Sequence, residues 1–468
     1  MTRSPVTLGL MLLALSSCVR YQPQPLSPAA RPAEYRARRL DDPMIRIYLE
    51  QQTGTASDTE WTDVQLALVA LLFRPELGSA RAAWRAARAG ITHAGARPPV
   101  GVQGDVERAV SGSGGASPWV VSLAGLFALE LGGKRGARLL RARAAAAVSE
   151  SELRAAAWRI LQEVRLASAV VQQSEESARQ LAAELALLQQ VRNLEQRRYT
   201  EAALTGTELA RTAAEVQSAR AALAGAESRQ IRARADLARA VGLPPRAMVS
   251  LSVRSPRPLG CGIVDSVALD SLERLALGRR PEIAHALADY AVGEADLRLE
   301  ISRQYPNLEL GPGFIWDQGV NRWTLALALP GVIGRPNRGP IREAGAHRAV
   351  LASRFYEVQE MVLGQVGAAV EGCRGATLER SAADSELTAA DRSVSLARAS
   401  YGRGETGRTE LARSELALQR ARRTQRETQA GEVLAGLELE AAAGEWHTTG
   451  MVRWPDPRNA PPARGTQQ

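Results

Sequence analysis

Few residues in this chain have types and spacings that could do chemistry. His93, His285, His347 and His447 are its only histidines, and they lie far apart, with no second histidine or cysteine at metal-ligand spacing. No catalytic constellation appears, and "GLFALELGGKRG" carries glycines without the pattern of a phosphate loop or a dinucleotide site. The chain therefore reads as neither an enzyme nor a cofactor-dependent protein. Cys261 and Cys373 form an even pair that an oxidising compartment would allow to bond; two free, buried thiols fit the sequence equally well, because spacing does not show that their Cα atoms come within bonding range. The most informative residues are written twice. "LEQRRYTEAALTGTELAR" from Leu194 returns as "LARASYGRGETGRTELAR" from Leu396, so Tyr199 is matched by Tyr401 and Thr207–Arg211 by Thr409–Arg413. In the first copy Thr205 and Glu208 fit a Thr-x-x-Glu capping box, a helix-start device. In the second, Gly407 occupies the cap position, and Glu410 reads either as part of a helix start or as a carboxylate with another task.

Those turns must be carried by something, and the start of the chain says where. Met1, Thr2 and Arg3 precede an apolar run, "VTLGLMLLAL", that ends at Ser16, Ser17 and Cys18, which is the pattern of a signal peptide over residues 1–17. The run is too short to span a bilayer comfortably. "LSSC", Leu15 to Cys18, resembles the lipobox of bacterial lipoproteins, and the resemblance implies that Cys18 is acylated and becomes the mature N-terminus. Acylation at two or more chains anchors a protein stably where one chain does not. Val19 follows the cysteine in place of the aspartate that usually keeps lipoproteins in the inner membrane, so the resemblance implies an outer-membrane address.

Composition points to long helices. Only 4% of residues are aromatic, and alanine, leucine and arginine dominate from about residue 63 to residue 447, which suits helices packed closely through small side chains. After the leader no apolar run approaches about 18 residues, so no transmembrane helix is expected. The formal charge of +9 could mean nucleic acid, but arginines alternate with glutamates along the helical stretches, as in "RQLAAELALLQQVRNLEQRR", and no basic patch is interleaved with aromatics. No nucleic-acid partner is expected.

The repeat extends beyond its turn. "FRPELGSARAAWRAARAG" from Phe73 and "RRPEIAHALADYAVGEADL" from Arg279 each open a helix. Each is followed by two alternating segments, a helix of some 60 residues, the Tyr turn and a second long helix. The expected divisions are a lipid-anchored, Pro-rich leader with a short helix over 18–62, a first repeat over 63–243, a linker over 244–263, a second repeat over 264–447 and a disordered tail over 448–468. Alternation places strands at about 99–110, 118–131, 306–317 and 321–330. In "PWVVSLAGLFALEL" Trp119, Val121, Leu123, Phe127 and Leu129 share one parity, and Ser122, Ala124 and Ala128 the other. Each segment is about the length needed to cross a bilayer as a tilted strand. Four strands cannot close a barrel, for which about eight are needed, and a strand edge in lipid must be paired. Copies of the chain must then associate, and three would supply twelve strands. Heptad-like spacing of Leu209, Val216 and Leu223 indicates coiled-coil packing of the helices.

A duplicated chain of this plan resembles the TolC-type outer-membrane efflux proteins. "LELGGKRGARLLRARA" from Leu129 and "LALALPGVIGRPNRGPIREAGAHRA" from Leu325 are similar to the strand-to-helix junctions of that family's CzcC-like heavy-metal branch, and "LDDPMIRIYLEQQTG" and "AVGLPP" are similar to other family segments. The resemblance implies a mainly α fold with a small membrane β part. In it a homotrimer forms a 12-stranded β-barrel in outer-membrane lipid, continued by a periplasmic α-helical barrel. It implies a passive exit duct working with a periplasmic adaptor protein and an inner-membrane pump of the resistance-nodulation-division (RND) type, without cofactor, and heavy-metal cations as cargo; a multidrug or type I secretion channel is the alternative, and a non-transport coiled coil or adaptor a further one. By the family pattern Tyr199, Thr205, Glu208, Tyr401, Gly404, Gly407, Glu410 and Arg413 lie at periplasmic tips that gate the channel or meet the adaptor. Three copies of Glu410 would there form an anionic ring attractive to cations.

Overall fold

The computed structural model describes residues 21–53, 60–108, 110, 117–249, 251–254, 256, 258, 260–317, 319–330 and 337–444. Cys18 and the signal segment, residues 331–336 of the second junction, His447 and the tail over 448–468 lie outside them.

In chain order the elements are α1 (Ala30–Ala37), α2 (Pro43–Thr53), β1 (Glu60–Trp61), α3 (Asp63–Phe73), α4 (Pro75–Ala94), β2 (Gly101–Arg108), β3 (Trp119–Leu129), α5 (Lys134–Thr200) and α6 (Gly206–Val241). They continue with β4 (Ser252–Val253), α7 (Leu269–Arg279), α8 (Pro281–Ser302), β5 (Leu308–Asp317), β6 (Val320–Ala328), α9 (Arg338–Gly402) and α10 (Arg408–Ala443). Short 3₁₀ turns occupy Pro245–Met248 and Cys261–Asp265. Helices α5 and α9 have 67 and 65 residues, roughly 100 Å each at 1.5 Å per residue. Their partners α6 and α10 have 36 residues each, about half that length. Each long helix therefore runs from the four-stranded sheet to a far tip, and each partner returns only part of the way.

The duplication is visible in detail. Helices α3 and α7 end at an Arg-Pro-Glu run whose proline opens the next helix, because its fixed φ suits a first helical turn and its missing N–H is no loss there. Arg74 Nη1 donates to the Ala240 carbonyl at 3.0 Å and to Glu163 at 2.8 Å. Arg280 repeats the arrangement with the Ala442 carbonyl at 3.3 Å and Gln365 at 2.8 Å. Each arginine thus satisfies end carbonyls of a returning helix, which stops at a left-handed glycine, Gly242 (φ 83°) or Gly444 (φ 70°).

Around this level sits a belt. β1 and β4 pair in parallel, α3 is buried along almost its whole length, and its Leu66–Leu72 run packs against Leu153, Ala157, Ile160 and Val164 of α5. The second half has a smaller cluster, in which Cys261, Val264, Leu272 and Ala276 meet Val362, Val366 and Cys373 of α9. Cys261 and Cys373, 112 residues apart, are joined by a disulfide. Arg165, 2% exposed, forms ion pairs with Asp63 and Glu440 and so ties α3, α5 and α10 together.

Candidate functional site

The two tips repeat each other bond for bond. Ala203 N–H donates to Arg198 O (2.8 Å) and Ala202 N–H to Tyr199 O (3.0 Å); 202 residues on, Glu405 N–H donates to Ser400 O (2.9 Å) and Gly404 N–H to Tyr401 O (3.0 Å). Both are Schellman endings, which need a left-handed residue just past the helix. Gly404 supplies it at φ 74°, and Ala202 at φ 56° is the only non-glycine residue with positive φ among those described. Tyr199 and Tyr401 are both exposed.

Beyond the turns the tips differ. Thr205 and Glu208 form the complete capping box: the Thr205 hydroxyl accepts from Glu208 N–H, and the Glu208 carboxylate accepts from Thr205 N–H at 2.9 Å and from the hydroxyl at 2.7 Å. The hydroxyl's hydrogen bond, then the backbone's, holds the Glu208 carboxyl below the usual carboxylate range. Gly407 caps α10 with no side-chain bond, and Glu410 is exposed, with no side-chain hydrogen bond or ion pair among the described residues. Arg413, one turn on, reaches across to the first half and pairs with Glu195 of α5, which is 1% exposed. That hydrogen bond raises the Arg413 pKa. Further along, Arg420 and Arg423 both bind Glu184, at 2.7 and 3.1 Å, and Leu188, Val216 and Leu416 close a small apolar cluster beneath them. Near the tips the two halves are therefore held by ion pairs around a small apolar cluster, at the far end of a contact between α5 and α10 that begins at Arg165–Glu440. Sequence reading did not find Glu184 or Glu195, which sit in ordinary mixed-charge helix.

At the other end β2, β3, β5 and β6 form one antiparallel sheet in the order β2-β3-β5-β6. Its register sorts the side chains. Val106 pairs with Val121 and Trp316 with Val121 on the far side; Leu123 with Phe314 and Phe314 with Trp323; Phe127 with Leu310 and Leu310 with Leu327, so these share one apolar face. Asp105 with Ser122, Gln103 with Ala124, Gly313 with Thr324 and Glu309 with Ala328 share the other. Trp119, Trp316 and Trp323 cluster towards the end farthest from the helices, and Trp323 is 84% exposed. Both outer strands, β2 and β6, have an unpaired edge among the described residues. No described helix is long and apolar enough to cross a membrane.

Between sheet and belt, α4, α5, α8 and α9 line a cleft of about 1070 Å³. Glu76, Glu152, Glu282, Asp289 and Glu357 line it against Arg159 and Arg354. His285 also lines it, its Nδ1 2.9 Å from Ser151 Oγ and its Nε2 3.4 Å from Asp289. His93 and His347 are exposed, and the described residues contain no group of three or more metal-ligating side chains.

Residues 66–243 match the outer membrane efflux protein family. No curated protein matches the chain in sequence. Among solved structures, the chain is similar to the outer membrane protein VceC of Vibrio cholerae, with TM-score 0.65 and 18% identity over 82% of this chain and 96% of that one. It is also similar to a membrane protein from Pseudomonas aeruginosa, with TM-score 0.65 and 20% identity over 87% and 98%, and to the CmeC outer membrane channel of Campylobacter jejuni, with TM-score 0.63 and 13% identity over 82% and 85%. At these identities the structures establish a common fold, and residues 66–243, the first of the two repeats, are similar in sequence to the outer membrane efflux protein family.

Proposed function

We propose that three copies of the chain form the exit duct of a tripartite efflux system, anchored to the outer membrane through an acylated Cys18. The observation that carries this reading is the sheet: four strands with one apolar face, one small and polar face and two open edges. In lipid such edges must be paired, and three sheets edge to edge give twelve strands, above the smallest membrane barrels of about eight. The apolar face meets lipid, the polar face lines water, and the tryptophans form the outer girdle. The cleft-lining face of the helices then continues the lumen towards the periplasm.

Such a duct supplies a path and no energy, so an inner-membrane pump drives transport and a periplasmic adaptor meets the hairpin tips. For cargo we favour heavy-metal cations and an RND pump over multidrug efflux or type I secretion. The "GGKRGAR" junction supports this, as does the carboxylate excess on the water-lining faces, where Asp105, Glu107 and Glu309 on the sheet join the five acids of the cleft. Opening requires the Arg413–Glu195 latch to release, and Glu410 lies one turn away from it on the tip that has no side-chain cap.

The test uses purified chain in planar bilayers. Arg413→Ala strips the partner from a buried carboxylate and should raise conductance or open probability several-fold, whereas Glu410→Ala should lower cation selectivity. If both variants match the parent current, the tips do not gate. Loss of the gene should raise cellular accumulation of divalent heavy-metal ions; accumulation of dyes or drugs alone would favour the multidrug alternative.

A further inference from the structure

The helices just below the sheet carry their charges unevenly. On the cleft side and between helices, cations are matched: Arg141 pairs with Asp296, Arg138 with Glu130, Arg303 with Glu300 and Arg348 with Glu294. The opposite side is different. Arg88 lies nine residues beyond the cleft-lining Ser79, Arg298 nine beyond Asp289 and Arg143 nine before Glu152, and nine residues turn a helix by two and a half turns. Arg338, sixteen before Arg354, is likewise turned away from the cleft. All four are exposed and none forms an ion pair among the described residues, although Arg88 stacks 5.1 Å from the Trp84 ring and Arg298 sits one turn after Glu294, itself paired with Arg348. No aspartate or glutamate occurs over residues 84–100 or 134–149, and Glu343, eleven residues before Arg354, falls on the cleft side.

These arginines come from all four helices that join the sheet and lie within about 14 Å of their sheet-proximal ends, counting 1.5 Å per residue. An arginine stem can extend its charge several ångströms further towards an interface. With the cleft read as lumen, these positions make a collar on the outer side of the helices at the ends that join the sheet.

We propose that this collar binds anionic phospholipid headgroups in the periplasm-facing leaflet of the outer membrane. The proposal rests on the reading of the sheet as membrane-spanning, and it commits to lipid because the collar lies at the ends that join the sheet and is complementary in charge to phosphate. Juxtamembrane arginines gain attraction from each anionic lipid within reach, and the effect is screened by salt. The collar would fix how deep the duct sits and would favour acidic lipid around it.

The experiment reconstitutes the full chain and a variant with Arg88→Gln, Arg143→Gln, Arg298→Gln and Arg338→Gln into bilayers mixing phosphatidylglycerol with phosphatidylcholine. Lipid retained by the protein is counted by native mass spectrometry at low and high salt, and channel current is recorded from the same preparations. The parent should enrich phosphatidylglycerol by about tenfold or more at low salt, with the enrichment falling as salt rises, and the variant should come within about twofold of parity with its current unchanged. Equal retention of both lipids by the parent, or enrichment that survives in the variant, overturns the proposal while leaving the duct standing. Capture of peptidoglycan fragments in place of lipid also overturns it. Absence of current from parent and variant alike removes the duct reading, and this proposal with it.

Discussion

At Ala202 the chain makes the same turn as at Gly404 with a side chain that resists it. A non-glycine residue in the left-handed region costs roughly 1–2 kcal/mol, so Ala202→Gly should stabilise the α5–α6 hairpin by about 1 kcal/mol and Gly404→Ala should destabilise α9–α10 by a similar amount. Hydrogen exchange at the two turns measures both. Glu208 adds a pH dependence. Its carboxyl is held below the ordinary 4.5, so the cap's contribution is present above that value and fades as pH falls through the lowered one. The difference in melting temperature between the parent and Glu208→Gln should therefore be largest near neutrality and shrink on acidification; a constant difference would contradict the cap. The capping box was legible in the sequence because Thr205 and Glu208 are three residues apart. The Arg413–Glu195 latch was not, because 218 residues separate its members and nothing local marks either as paired.

Among the elements, strands and long helices were readable from periodicity, since apolar and polar side chains fall on opposite faces of each. The strand segments read from alternation overlap β2, β3, β5 and β6 throughout. Less visible were α3 and α7 as separate helices and the parallel β1–β4 pair: α3 is apolar all round, which erases periodicity, and a two-residue strand has none. The disulfide lay between these cases. The sequence left Cys261 and Cys373 bonded or free, and the fold brings a 3₁₀ turn onto α9 and joins them. Closing a loop of this length constrains the unfolded chain, so Cys261→Ala with Cys373→Ala should cost about 4 kcal/mol, read as a lower midpoint of thermal or denaturant unfolding. Destabilisation of that size by reductant in the parent, with none in the double variant, assigns the loss to the bond.

The whole molecule is a single chain with the features of a part: a sheet with two open edges, a water-compatible face next to an oil-compatible one, and helices far longer than one bilayer. The proposed ring of three chains would pair the open edges and give each face of the sheet its own medium. The duplication explains why one chain supplies four strands and two tips, and only the first tip carries a side-chain cap. The central claim is the trimeric duct, and the most direct measurement is the single-channel current of the purified, full-length chain in a planar bilayer, with subunit stoichiometry determined on the same sample. A trimer that inserts and passes a steady, cation-selective current is the predicted result; a monomer that stays soluble without detergent once its lipid is removed, and carries no current, would contradict it.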